Sequence, residues 1–270
     1  MTGAADSFSR RLARTCIAAG ALLLAGCATV PPDAGNNARD PYERFNRNVY
    51  AFNDKLDRYA LRPVAKGYVA VVPHAFRLCL SNAFSNVAEI RNAVNDILQA
   101  KPVGASTDTG RLAINTTLGM FGCFDVATKM GLEGRHEDFG LTLARWGAGT
   151  GPYLVLPILG PSDVRDGIGL VPDLYTNPVS YVHPTYDSYI YNAGAVIDTR
   201  ANLLDATDLI DRTALDRYQF TRDAYLQRRR SLEYEGNPPL APEEEEGDET
   251  GSRPGGTKEK PAQPAPGDRR

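Results

Sequence analysis

The chain is expected to fold as a mainly α protein, and three observations predict it. Apolar side chains recur at spacings of three and four in the segment from residue 40 to about 235, and capping residues or Pro stand where several of those stretches begin. No sustained apolar–polar alternation marks a half-buried strand. Composition changes on either side of this body, so the chain divides into residues 1–26, 27–39, 40–235 and 236–270.

Residues 1–26 read as a secretion signal of the lipoprotein type. Arg10, Arg11 and Arg14 form a positive start, an apolar run from Cys16 to Leu24 follows, and Leu24-Ala25-Gly26-Cys27 places small residues ahead of a Cys. The run is too short to span a bilayer as a helix. In lipoprotein processing the Cys27 thiol is alkylated with diacylglycerol, the chain is cut before it, and the new amino group is acylated. At about 0.8 kcal/mol per buried CH₂, one acyl chain binds reversibly and three hold permanently. Cys27 is thus the expected lipid anchor. Ala28 carries no inner-membrane retention signal, which makes the outer membrane, periplasmic side, the expected address. Ala28 to Arg39 is rich in Pro, Gly and Asn and reads as a flexible tether.

The body opens on Asp40-Pro41-Tyr42-Glu43, which supplies an N-cap, a Pro at the first helical position and a capping-box Glu. Phe45, Val49, Phe52, Leu56 and Tyr59 then place one apolar, aromatic face on a helix. Pro63 ends that helix and starts a shorter one that stops at Pro73. A helical pattern resumes to about Leu98 with a break near Ser85, where Asn82 and Asn86 read as caps; Val87, Ile90, Val94 and Ile97 form the apolar stripe of its second half. Pro102-Val103-Gly104 reads as a turn before a helix from about Ala105 to Leu118, and His136 to Trp146 as a short helix. Gly147 to Pro161 differs in kind: it is apolar, yet its Gly and Pro residues oppose a regular helix or a central strand, so something must cover it. Ser162, as a cap, opens a helix to Leu170, and Pro172 to Pro178 is a turn-rich link. Long helices follow over Thr185 to about Ala206 and Thr213 to about Tyr234, the second with Leu215, Tyr218, Tyr225 and Leu226 inward. Residues 236–270, with Glu243 to Glu246 consecutive and almost no large apolar residue, bury too little surface to offset chain entropy and are expected to be a disordered acidic tail.

Charge and motif point away from catalysis and nucleic acid. Removing residues 1–26 takes away three Arg and one Asp and moves the formal charge from −3 to −5. Basic residues are dispersed, so no nucleic-acid partner is expected. His74, His136 and His183 do not stand in metal-ligand spacing, and neither metal nor cofactor is expected. Ser162 lacks a nucleophile elbow, and Gly147-x-Gly149-x-Gly151 has no Lys-Ser/Thr behind it. No catalytic residue is assigned. With Cys16 leaving in the signal and Cys27 lipidated, Cys79 and Cys123 remain in an oxidising compartment, where one structural bridge is favoured over two buried free thiols.

The body resembles the MlaA (VacJ) family of outer-membrane lipoproteins. The likeness rests on Asp40-Pro41-Tyr42-Glu43-Arg44-Phe45-Asn46-Arg47, Tyr50-Ala51-Phe52-Asn53, Arg62-Pro63-Val64-Ala65 and Asn82-Ala83-Phe84-Ser85-Asn86. It continues through Asn115-Thr116-Thr117-Leu118-Gly119, Gly122 to Ala127, His136 to Gly140, and Gly147 to Pro161. Ala83 departs from it, since the family usually has Phe there. The resemblance implies a ring-like bundle of amphipathic helices lying in the inner leaflet of the outer membrane. It implies removal of mislocalised phospholipids from the outer leaflet for retrograde transport, with a periplasmic MlaC-like lipid carrier and a trimeric porin as partners. It also ties Phe52, Asn53 and Asp54 to control of lipid passage, and it makes Gly147, Gly149, Gly151, Pro152 and Tyr153 a flexible wall of that passage, the plain alternative being a tight turn packed on the body. The competing reading of the whole chain is a structural or assembly lipoprotein acting through protein contacts.

Overall fold

A computed structural model of the chain describes residues 30–31 and 34–239. Cys27, the signal segment 1–26 and the tail from residue 240 onward lie outside the described residues. The mainly helical expectation is met. Helix α1 (Glu43–Leu56) runs through a π-turn (Asp57–Leu61) into α2 (Arg62–Val71), and α3 (His74–Leu98) and α4 (Pro102–Thr117) pack as a hairpin. Short helices α5 (Val126–Lys129) and α6 (Phe139–Arg145) lead to strands β1 (Tyr153–Leu156) and β2 (Gly160–Asp163). Helix α7 (Val164–Thr176), a 3₁₀ turn (Pro178–Tyr181), α8 (Thr185–Asn202), α9 (Leu204–Thr213) and α10 (Arg217–Glu233) complete the body.

Several boundaries differ from those expected, each for a local reason. Asp40 is not the cap of α1: it is fully buried, and its carboxylate accepts from Asn46 Nδ2 at 2.8 Å and from the Tyr218 hydroxyl. Glu43 makes no capping box; it accepts from Arg47 Nε at 2.8 Å. Pro63 does not break the chain's first long helix, because it falls in the first turn of α2, where its missing N–H matters little. Helix α3 has no break at Ser85. Asn82 and Asn86 reach outward instead of competing for their own backbone, donating to Cys123 O at 3.0 Å and Thr116 Oγ1 at 2.9 Å. Pro102 is not in a turn but near the N-terminus of α4. Gly104 lies where a Cβ would come 2.2 Å from Asp96 Oδ2.

The Gly/Pro-rich segment contains regular structure after all: β1 and β2 pair antiparallel, with Tyr153 opposite Asp163 and Leu156 opposite Gly160. Asp163, not Ser162, caps α7 by accepting from Asp166 N at 2.7 Å. Helix α7 then continues through Pro172, with Asp173 pinned by Phe139 N and Asn95 Nδ2 at 3.1 and 3.2 Å. The helix from Thr185 stops at Asn202, because the chain bends at Leu203 and Arg200 holds the bend by reaching both Asp57 and Thr207. Asp216 caps α10, so Leu215 falls outside the helix and is fully exposed, while Tyr218 is buried and Tyr225 and Leu226 pack against the core as expected.

The largest departure concerns which faces are inside. Of the apolar stripe on α1, only Val49 is fully buried; Phe45, Leu56 and Tyr59 are exposed, and Glu43, Asn46 and Arg47 point inward. Helix α3 repeats this, burying Asn86, Glu89, Asn92, Asn95 and Asp96 while Ile97 is exposed and Val87, Ile90 and Val94 are half-buried. Among the described residues, buried polar and charged side chains outnumber buried apolar ones twenty-three to ten. A water-soluble domain has the opposite balance, since burying apolar area stabilises by roughly 25 cal/mol per Å² and burying charge costs unless it is paired.

Candidate functional site: a charged cavity beneath an apolar surface

Helix α1 builds the site by presenting two Asn residues one above the other, seven positions apart. Asn46 Nδ2 donates to Tyr153 O at 3.0 Å, and its Oδ1 accepts from Val155 N at 2.9 Å. Two turns on, Asn53 Nδ2 donates to Leu156 O at 2.9 Å and its Oδ1 accepts from Ile158 N at 2.8 Å. Their amides thus stand in for a third strand along the open edge of β1, a position that otherwise leaves backbone groups unsatisfied. The hairpin is held against α1, with Tyr153, Val155, Val49 and Tyr218 as its small apolar core.

Next to this edge lies a cavity of about 240 Å³ walled by Tyr50, Asn53, Asp54 and Asp57 of α1 and its π-turn, Arg62 of α2, and Val155, Gly160 and Pro161 of the hairpin. Arg200 of α8, Thr207, Ile210 and Asp211 of α9, and Arg217 and Thr221 of α10 close the rest. Its charges form a chain. Arg217 Nη1 lies 3.0 Å from Asp54 Oδ1 and 2.7 Å from Asp211 Oδ1; Asp211 Oδ2 accepts from Arg62 Nη1 at 3.0 Å; Arg62 also meets Asp208. Arg200 grips Asp57 with Nε at 2.6 Å and Nη2 at 2.9 Å. Burial works against the Arg217 charge, yet hydrogen bonds to Asp54 and Asp211 raise its pKa further. Burial likewise pushes Asp211 up, and the hydrogen bonds from Arg217 and Arg62 overcome it and hold that carboxyl below the usual carboxylate range. Arg62 and Arg217, only partly withdrawn from solvent, present planar donor forks that suit a phosphate better than a point cation does, while Arg200 is buried at its bonds to Asp57.

A second polar group sits deeper. Arg229 of α10 contacts Asp138 at 2.5 Å and Asp166 at 2.6 Å, and Tyr225 Oη donates to Asp166. Asp138 also accepts from Leu141 N at 2.9 Å and so caps α6. Burial alone would raise its pKa, but the bonds from His136 and Arg229 drive it far below the carboxylate range.

Of the residues predicted for lipid passage, Asn53 and Asp54 line the cavity and Phe52 is half-buried beside them on α1. Gly147, Gly149 and Gly151 lie in an exposed loop, with Gly147 and Gly151 at φ of 94° and 69°; Pro152 is half-buried and Tyr153 fully buried in the core. These five do not reach the cavity wall, which the hairpin instead supplies through Val155, Gly160 and Pro161. Cys79 and Cys123 are joined in a disulfide. Sequence reasoning missed Asp57, Arg62, Arg200, Asp211 and Arg217 as one group, since they converge from separate helical segments.

Among the described residues the buried side chains are mostly polar, many large apolar ones are exposed, and no described helix is long and apolar enough to cross a membrane; this defines a helical protein with a polar interior and an apolar surface. The MlaA lipoprotein family matches residues 38–232, and the chain belongs to that family. It is 38% identical over 229 residues to the intermembrane phospholipid transport system lipoprotein MlaA of Shigella flexneri, covering 81% of this chain and 87% of that protein. The Escherichia coli protein of the same name is 36% identical over 222 residues, covering 81% and 87%. A solved structure described as "Structural basis for maintenance of bacterial outer membrane lipid asymmetry" superposes with a TM-score of 0.61 at 36% identity, covering 73% of this chain and 99% of that one.

Proposed function

We propose that this protein is the lipoprotein of an intermembrane phospholipid transport system, taking mislocalised phospholipids from the outer leaflet and so maintaining outer-membrane lipid asymmetry. The observation that carries the reading is the inverted body: apolar helix faces outward, an arginine-lined cavity within. In such a body acyl chains stay against the apolar exterior while a headgroup phosphate enters the polar interior. On this reading the cavity takes the headgroup: Asp54 holds Arg217 in place, Asn53 sets the hairpin wall, and Phe52 flanks it on α1. The Gly147–Gly151 loop with Pro152, mounted on buried Tyr153, is the deformable wall at the other end of the hairpin. Cys27 carries the lipid anchor and residues 27–39 the tether, in the outer membrane facing the periplasm, with residues 236–270 a tail outside the transport body. Direction and energy come from partners, among them a periplasmic MlaC-like carrier, with a trimeric porin beside the body; no catalytic step is assigned to the chain.

The test is lipid analysis of the purified mature protein by mass spectrometry, with phospholipid expected to co-purify and to diminish in Arg217→Gln. A strain lacking the protein should expose phospholipid in the outer leaflet and become sensitive to detergent and chelator. Normal asymmetry in that strain, with no lipid on the protein, would leave the assembly reading in its place.

A further inference from the structure

The loop from Leu118 to Phe124, between α4 and α5, presents large apolar side chains outward on a strained backbone. Met120 and Phe121 sit at φ of 52° and 58°, followed by Gly122 at 87°. For a non-glycine residue this left-handed conformation costs of order 1–3 kcal/mol and persists only where its surroundings over-determine it. The result is that Phe121 is 84% exposed, with Leu118, Met120 and Phe124 also on the surface. An unbiased surface loop relaxes such residues inward.

Three features hold the loop. The Cys79–Cys123 bond staples it to α3. Asn82 Nδ2, one turn further along α3, donates to Cys123 O at 3.0 Å. Gly119 packs so closely that a Cβ there would come 2.2 Å from Phe124 O. The staple also joins the loop to an apolar face, because exposed Phe76 lies three residues before Cys79 on α3 and exposed Leu80 lies four residues after Phe76, on the same face as Phe76.

The backbone of this loop is largely closed on itself. Leu118 N and Gly119 N donate to Ile114 O, Phe121 N to Thr116 O, and Gly122 N to Asn115 O. Cys123 N donates to Met120 O and Phe124 N to Gly119 O, at 2.8–3.3 Å throughout. From Leu112 to Phe124 the chain has no charged residue. A loop in water or against a protein partner has no need to satisfy its own N–H groups, since either can supply acceptors. Non-helical backbone in hydrocarbon must satisfy them internally, because each unsatisfied group there costs several kcal/mol.

We propose that Leu118–Phe124 is a rigid, disulfide-anchored wedge that enters the hydrocarbon of the leaflet, Met120 and Phe121 deepest. The proposal rests on the leaflet reading above and adds the part of the molecule that goes into the lipid.

The chain has one tryptophan, Trp146, so Phe121→Trp in a Trp146→Phe background reports on the wedge alone. The mature lipoprotein is reconstituted into phosphatidylethanolamine–phosphatidylglycerol vesicles doped with phosphatidylcholine brominated either near the headgroup or at mid-chain. Mid-chain bromine should take at least about half of the indole emission of the Phe121→Trp reporter, an apolar face sinking about 5–10 Å below the surface, and aqueous iodide should take little. Iodide quenching without bromolipid quenching overturns the wedge. A second reporter, Phe76→Trp in the same background, separates the two readings. Bromolipid quenching at Phe76→Trp but not at Phe121→Trp sinks the wedge and spares the leaflet reading; quenching at neither sinks both. Adding Cys79→Ala and Cys123→Ala should cut mid-chain quenching of the Phe121→Trp reporter at least about twofold, and unchanged quenching would overturn the anchoring role of the bond.

Discussion

Two clusters of Arg and Asp occupy the interior at similar contact distances and are opposite in character. Around Arg229, the side chains of Arg229, Asp138 and Asp166 retain only 9–15% of their accessibility, and the two carboxylates are further tied to the α6 cap, Tyr225, His136 and Arg165. Around Arg217, the corresponding side chains keep 20–28% and open onto a cavity. Distance therefore does not distinguish a structural ion pair from a recognition group; residual solvation does. In the closed cluster each charge is committed, because losing a partner strands another charge in a low-dielectric interior. In the open one water compensates a broken pair, so a guanidinium can exchange a carboxylate for a phosphate at modest cost.

The sharpest way to break this comparison is Arg229→Met, which leaves Asp138 and Asp166 buried without their shared cation. A loss of about 3–5 kcal/mol is expected, read as a fall in thermal midpoint by circular dichroism. A loss below about 1 kcal/mol would mean that this cluster is hydrated like the cavity. Next comes Asn46→Ala, which removes the buried amide from Tyr153 O, Val155 N and Asp40. It should cost about 1–3 kcal/mol for the unsatisfied groups and raise hydrogen exchange at Val155. Protection at Val155 equal to that of the parent chain would show that β1 does not need its surrogate strand.

A smaller effect is read by pH, from buried Asp163 and from Asp138 of the closed cluster. Burial pushes the Asp163 carboxyl up to about 6, and its Oδ2 has no hydrogen-bond partner. The folded chain then holds a proton that the unfolded chain, with a carboxyl near about 4, has already lost. Stability from this group is thus present at low pH and is lost as pH rises through about 6. Asp138 runs the other way: its depressed pKa contributes stability that is complete above about pH 4 and constant at higher pH. Burial also pushes the Asp108 carboxyl up, to about 7, and acts in the same direction, so the thermal midpoint should be higher at about pH 5 than at about pH 8, and Asp163→Asn, which keeps a capping oxygen, should remove the part of that slope below about pH 6. An unaltered slope below about pH 6 in the variant would assign that part to another group. The smallest effect on stability belongs to Arg217→Gln, under about 1 kcal/mol, although it should lower co-purified phospholipid severalfold. Full lipid content together with a large stability loss would place Arg217 in the closed class.

Much of this molecule is legible without coordinates. The helices, the pairing choice for Cys79 and Cys123, and the expectation of a signal and anchor follow from local chemistry: periodicity, a count of thiols and charge order. Asn53 and Asp54 were reachable only through family resemblance. Arg62, Arg200, Arg217 and Asp211 carry no local mark, being separated by as many as 155 positions between Arg62 and Arg217. Asn46 and Asn53 are visibly on one helix face, yet the strand edge they satisfy lies more than a hundred positions away.

Periodicity gives α1 and α3 one apolar and one polar face, because a 3.6-residue period sorts side chains by angle whatever surrounds the helix. Only the tertiary structure decided which face is inside. Periodicity is symmetric to that choice, and its sign is set by whether a compact arrangement exists in which the buried charges find partners. Here Asp40, Arg47, Arg111, Asp138 and Arg229 all do, which leaves the aromatic and aliphatic faces on the outside.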